Sequence, residues 1–283
     1  MLHGQGIVAF AHQHMRAGLR ILAVAILAVV IPTQLMPAPL PEGVEIENMT
    51  WVDVHNAIAA GYTTVIVPTG GLEQNGPHMI IGKHDYIVRR AASEIAKDVG
   101  HILVAPVLAF VPEGNYDPPT GHMQFPGTIG LPEPVFANVL EGIARSLKAS
   151  GFKTICFIGD HGQSQPAQAD VAKKLSAEWV KDGVRVAQID GYYDDRAQIA
   201  RLMKQGLTSA QIGQHASIID TSEMMSVNPD GVDLSRYRSM TFGMGQNGAT
   251  ADPRAANAKL GGELLALRVA AAVAQIKSLL ATE

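Results

Sequence analysis

The chain has 283 residues, of which 47% are hydrophobic and 17% charged, with 28 Gly and 16 Pro. This composition excludes a disordered, coiled-coil or collagen-like protein and supplies enough apolar surface for a sizeable core. The formal charge is -4, with no long basic run, so the positive footprint that a nucleic-acid partner requires is missing; the lone Cys156 excludes an internal disulfide and a cysteine-rich zinc site.

Arg16 and Arg20 precede the apolar run 21–31, and a small and proline-containing stretch ends near Ala38. A basic segment, a short apolar core and such a stretch read as a secretory signal peptide over residues 1–38. The run is shorter than the roughly 20 residues of a comfortable membrane span. Export, into a periplasm, is the expectation, with a membrane anchor through an uncleaved segment as the alternative. Processing would leave 20 Lys+Arg against 26 Asp+Glu, a net charge of -6, and seven of the ten histidines. No stable membrane span would then remain. Cys156, in a β-branched run, reads as a buried small hydrophobe.

Beyond residue 38, short apolar runs alternate with helical patterns, the pattern of a mainly parallel α/β sheet covered by helices on both faces. Thr50–Asp53 offers a capping box for a helix ending near Gly61. Residues 63–68 form a strand, 86–99 a helix, and 102–105 a second strand. Pro132 and Pro134 open a helix with Val135, Val139, Leu140, Ile143 and Leu147 on one stripe. Residues 154–159 are a third strand, 165–180 a helix and 184–189 a fourth strand. Thr208 can cap a short helix, and Asp252-Pro253 begins a long, alanine-rich last helix suited to packing on the sheet or on a subunit. No linker or repeat interrupts residues 39–283, so a single domain is expected.

Ligands of open α/β sheets bind beyond the carboxyl ends of strands. Two such ends carry polar clusters: 70–78 continuing to His84-Asp85, and 159–165. Between them the long loop 110–132 holds Glu113, Tyr116, Asp117 and His122, which are expected to shape substrate access. Carboxylates and imidazoles together suit Zn²⁺ or Mn²⁺. A bound ion lowers the pKa of its water toward about 7 and so supplies a hydroxide for an amide-like carbonyl. No serine elbow, phosphate loop or dinucleotide fingerprint is present. Glu73 and His161 are ligand candidates. Asp160 is a ligand or a helix cap, His78 a supporting donor or a core histidine, and His84 competes with Asp85 for one position. Lys83 reads as a solvated charge.

These residues carry a resemblance to the creatininase family. Glu73-Gln74-Asn75-Gly76-Pro77-His78 resembles its Glu-Gln-His-Gly-Pro-His motif, and Phe125-Pro126-Gly127-Thr128 its Phe-Pro-Gly-Thr motif. The turn 159–164 is similar to Asn-Gly-His-Gly-Gly-Asn, and 215–222 to a later His-Ala-Gly…Glu-Thr-Ser segment. The resemblance implies a three-layer α/β fold, homo-oligomers up to hexamers, one or two divalent ions, and hydrolysis of cyclic amides or other small C–N substrates through metal-activated water. It assigns metal ligation to Glu73 and His161, with His84 or Asp85 at the bridging position and Asp160 as a further candidate. His215 matches a histidine that shuttles a proton to the leaving nitrogen, and Asp220 a nearby acid. Asn75 stands where the family has a histidine for the second ion, and Gln163 where creatininase has a glutamate. With His78, these are expected to support the site from behind. Non-hydrolytic carbonyl chemistry or non-catalytic small-ligand binding are the alternatives that these departures leave open.

Overall fold

The computed structural model describes residues 43–237 and 246–282. The expected signal segment, residues 1–38, lies outside the described residues.

Thr50 caps α1 (Trp51–Ala59): its hydroxyl accepts from the Asp53 N–H, while Asp53 accepts from the Thr50 N–H, which satisfies two otherwise free donors. The chain then enters β1 (Thr64–Thr69), buried along its whole length, and α2 (Lys83–Val99), followed by β2 (Ile102–Val104). α3 (Glu133–Ser150) leads to β3 (Thr154–Gly159), and α4 (Gln165–Trp179) to β4 (Arg185–Gln188). α5 (Arg196–Met203), α6 (Ser209–Ile212), α7 (Ile218–Val227) and α8 (Ala258–Leu280) complete the order.

The four strands are all parallel, in the order β2-β1-β3-β4. Alternate side chains of each strand feed opposite layers, as the two-residue period of a strand requires. Ile66, Ile102, Val104, Cys156 and Ile158 pack with Ile87, Val88 and Ile95 of α2 and Leu265, Val269 and Ile276 of α8. Val65, Val67, Leu103, Ile155 and Phe157 pack with Phe136 and Leu140 of α3 and Val171, Leu175 and Trp179 of α4. The result is the expected three-layer arrangement of helices, parallel sheet and helices. Between β1 and β3 the strand order reverses direction, and the crevice beyond their carboxyl ends is where such sheets bind ligands.

Four sequence readings need correction. α8 starts after Asn257, whose side chain accepts from the Leu260 N–H, and not at Asp252-Pro253, where Asp252 instead binds Arg254. Val135 is exposed, because the buried face of α3 runs through Phe136, Leu140 and Ala144. α5 and α7 were not anticipated; α7 has a weak apolar periodicity and buries Thr221, Ser222 and Glu223 along with Ile218 and Met224. Lys83 is 1% exposed, not solvated. Among the described residues no helix is long and apolar enough to cross a membrane.

Candidate metal centre

Glu73 sits four residues beyond β1 and is completely buried. Its backbone is fixed from two sides: its N–H donates to Ile81 O, and the neighbouring Leu72 carbonyl accepts from Ile129. The second hydrogen bond ties the 70–78 turn to the end of the long loop. Inside that loop the His122 N–H donates to Glu113 O, so Glu113 and His122 arrive together. The close pairing requires Gly121, with φ +56 and an absent Cβ that would lie 2.9 Å from the Glu113 carbonyl oxygen.

Four side chains converge there. Glu73, Glu113, His122 and His161 each offer one donor atom, and all four atoms lie within 4.8 Å of one another. Glu73 Oε2 is 2.9 Å from both His122 Nε2 and His161 Nε2. Glu113 Oε2 is 3.1 Å from His161 Nε2, yet neither Glu113 oxygen has a hydrogen-bond partner, and His161 Nδ1 has none either. Buried carboxylate oxygens without donors are costly. Two carboxylate oxygens and two imidazole nitrogens are also a donor set that a Zn²⁺ or Mn²⁺ ion satisfies. The residues present therefore fit a divalent ion.

The other oxygen of Glu73 faces a different company. Oε1 contacts His84 Nε2 at 2.6 Å, His215 Nδ1 at 3.5 Å and Lys83 Nζ at 3.7 Å. His84 Nδ1 reaches Asp160 Oδ2 at 2.6 Å. Asp160 Oδ1 in turn accepts from the Tyr192 hydroxyl at 2.7 Å and lies 2.7 Å from Arg268, which also pairs with Glu223 at 3.1 Å. The Gln198 amide donates to Glu223 as well. A continuous chain of buried ionic contacts thus runs from Glu73 to the sheet-facing side of α8.

Electrostatics follow from these contacts. Burial resists ionisation of Glu73, but the charges of His84 and His161 hold it well below the usual carboxylate range. Burial pushes the Glu113 carboxyl up. It opposes a charged His161, which the two glutamates nevertheless push up to about 10. Burial outweighs every other influence on His215, and with Lys83 nearby takes it down to about 4, so that its imidazole is neutral. Arg268 overcomes burial at Asp160 and keeps that carboxylate ionised.

The structure sorts the remaining expected residues by place. Asp85 turns away from the cluster and accepts from the Gly71 N–H at 3.1 Å, because consecutive helical residues point about 100° apart; His84 is the one that faces Glu73. His215 and Asp220 line the cavity, as does Gln163. Ala216, between them, takes a left-handed backbone (φ 50), and its N–H donates to Asp220 Oδ2 at 2.6 Å. The Asn75 amide donates to three backbone carbonyls, those of Glu73, Ile80 and Ile81, and so closes the turn. His78 is a buried histidine against Thr221 and Tyr237, outside the cavity lining. Tyr116 and Asp117 are exposed and do not line the cavity; the Tyr116 hydroxyl donates to Gly130 O. Lys83, Gln198, Glu223 and Arg268 were missed. Arg268 had a visible signal, since it shares the buried face of α8 with Leu264, Leu265 and Ala272.

The cavity above the cluster measures about 300 Å³, the size for a small molecule. Fold and site together define a three-layer α/β protein with a buried carboxylate–imidazole centre at the switch point of its parallel sheet. The family described as creatininase, creatinine amidohydrolase, matches residues 47–276. The chain belongs to the creatininase family and is an enzyme of its class, a hydrolase of non-peptide C–N bonds. It is 26% identical to the creatinine amidohydrolase of Pseudomonas putida over 202 residues, covering 70% of this chain and 76% of that one. A 3-dehydro-scyllo-inosose hydrolase of Thermotoga maritima is 25% identical over 123 residues, 44% of this chain and 37% of that one. Among solved structures, a manganese form of creatininase superposes with a TM-score of 0.68 at 23% identity, and a Zn-Zn form of a creatininase mutant with 0.67 at 22%. Each covers 84% of this chain and 98% of its own.

Proposed function

We propose that the protein hydrolyses a cyclic amide or another small C–N substrate at a divalent-metal centre, Zn²⁺ or Mn²⁺, held by Glu73, Glu113, His122 and His161. The observation that carries this reading is the buried donor cluster, in which the Glu113 oxygens lack any hydrogen-bond partner. Metal forms of the related creatininases support the choice of ion. When bound, such an ion lowers the pKa of a water from about 16 to about 7 and withdraws charge from a carbonyl oxygen.

The chain's own groups do the rest. His215 opens onto the cavity with Nδ1 toward Glu73 and moves a proton from the attacking water to the leaving nitrogen. Its Nε2 donates to Gln74 O at 2.9 Å, which fixes the ring. Asp220 anchors the His215 turn through the Ala216 N–H and binds Lys83 at 3.2 Å. His84, held between Glu73 and Asp160, keeps the Glu73 carboxylate from rotating. Gln163, exposed at the rim, contacts substrate on entry.

The test is metal analysis of the purified chain, followed by product mass on a panel of small lactams and cyclic ureides. Hydrolysis adds one water to the product, which separates it from other carbonyl chemistry. Glu73→Gln should lose both bound metal and turnover; unchanged values for both would sink the reading. Export through residues 1–38 and assembly into a homo-oligomer, up to a hexamer, belong to the same proposal. N-terminal sequencing and light scattering check these two parts.

A further inference from the structure

Lys83 is the least expected residue of the centre. It opens α2, so its ammonium lies at a helix N-terminus, where the helix dipole disfavours positive charge. It is 1% exposed, and burying an ammonium is expensive unless its partners compensate. The partners are Asp220 at 3.2 Å and Glu73 Oε1 at 3.7 Å. A lysine kept in place against both dipole and desolvation is there for its charge.

Glu73 has two faces. Oε2 points to His122 and His161, where the unpartnered Glu113 completes a donor set for an ion. Oε1 points to Lys83, His84 and His215. Both ring nitrogens of His84 are already engaged by carboxylates, Glu73 and Asp160. Asn75, which stands where the family has a ligand histidine, spends its amide nitrogen on three backbone carbonyls and leaves only a neutral carbonyl oxygen, a weaker ligand than an imidazole. The Oε1 side therefore has a cation built into the chain, and its nearest imidazole, His84, has no free ring nitrogen.

We propose that the ε-ammonium of Lys83 is the fixed cation on the Oε1 side of Glu73, so that the centre takes a single divalent ion, on the Oε2 side. Lys83 is a positioning residue: it compensates the second oxygen of Glu73 and holds Asp220 beside the His215 turn. The inference rests on the metal-centre reading above, and the two fail differently.

The experiment uses the full chain, stripped with a chelator, reloaded with Mn²⁺ or Zn²⁺, desalted and assayed for metal per chain. One ion per chain is the expected result. Two ions would overturn the role of Lys83 and leave the metal centre standing, whereas no bound ion would overturn both. The second arm is Lys83→Met, with Mn²⁺ binding measured by calorimetry. Removing a positive charge behind Glu73 removes repulsion on the incoming ion, so affinity should rise by about tenfold or more while turnover falls. Affinity that falls or stays unchanged would mean that the lysine only supports the fold, and would overturn the proposal. Should Lys83→Met fail to fold, Lys83→Arg, which keeps the charge, must retain one ion per chain at wild-type affinity.

Discussion

Replacing Arg268 by methionine removes the cation that joins two buried carboxylates, while keeping most of the side-chain volume. Arg268 is 8% exposed; it lies 2.7 Å from Asp160 and 3.1 Å from Glu223, donates to Tyr192 O at 2.9 Å, and stacks 4.2 Å from the Tyr192 ring. Removing one partner of a buried ion pair costs about 3–5 kcal/mol, because the other charge is left uncompensated. The cost here falls at the low end, for two reasons. Glu223, whose carboxyl burial already pushes up to about 7, escapes by taking a proton. Asp160 keeps the Tyr192 hydroxyl and His84 as partners. A loss of about 3 kcal/mol is expected, or about 6–12 °C in Tm for a chain of this size. Urea unfolding at pH 7, followed by circular dichroism, measures it. In a double-mutant cycle with Glu223→Gln the two effects should fall short of additivity by about 1 kcal/mol or more, since both remove the same contact. A loss below about 1 kcal/mol, or strict additivity, would refute the buried relay.

Glu223 also makes stability depend on pH. Its pKa is raised from 4.5 to about 7 on folding, with burial the leading cause, so its contribution is fully present below about pH 4.5 and is lost as pH rises through about 7. Glu223→Gln lacks this titration, and between pH 5 and pH 8 its unfolding free energy relative to wild type should move in the variant's favour by up to about 3 kcal/mol; a pH-independent difference would contradict the shift. The second test concerns α7 and α8, which carry Asp220, Glu223 and Arg268. A Cβ at Gly261 would lie 1.7 Å from the Ser222 carbonyl oxygen, whereas one at Gly262 meets nothing within 4 Å. Gly261→Ala should therefore destabilise by about 2 kcal/mol or more through overpacking, and Gly262→Ala should stabilise by up to about 1 kcal/mol through helix propensity. Equal effects in thermal melts would show that the two helices are not in this contact.

The sheet was legible because its strands are buried on both faces: β1 and β3 read as unbroken β-branched and apolar runs, a pattern that composition alone sustains. α5 and α7 were not, because α7 buries threonine, serine and glutamate, and a helix whose inward face is polar has no apolar stripe to read. The same distinction divides the site. Glu73 and His161 stand directly beyond strands, where sheet geometry predicts ligands. Glu113 and His122 sit in the long loop and were expected at the substrate entrance; only the pairing of His122 N–H with Glu113 O shows that the loop folds them in beside Glu73. Lys83 is a charged residue whose burial depends on a partner distant in sequence, Asp220, so neither local composition nor spacing reveals it, whereas the spacing of Arg268 along α8 does place it on the buried face.

Charge balance ties these residues to one another. Glu73, Glu113, Asp160, Asp220 and Glu223 bring five carboxyl groups into one small volume, against the two permanent cations Lys83 and Arg268. Buried charge must be matched nearby, because the low-dielectric interior screens it poorly. Asp160 is matched by Arg268 and Asp220 by Lys83, each within 3.2 Å. Glu73 and Glu113 then share the excess, and they face each other across His122 and His161, the only place in this constellation where imidazole nitrogens and unpartnered carboxylate oxygens meet. The lysine and arginine thus do more than hold the fold: by compensating the outer carboxylates they confine the uncompensated charge to the single spot where the chemistry of the family requires a cation.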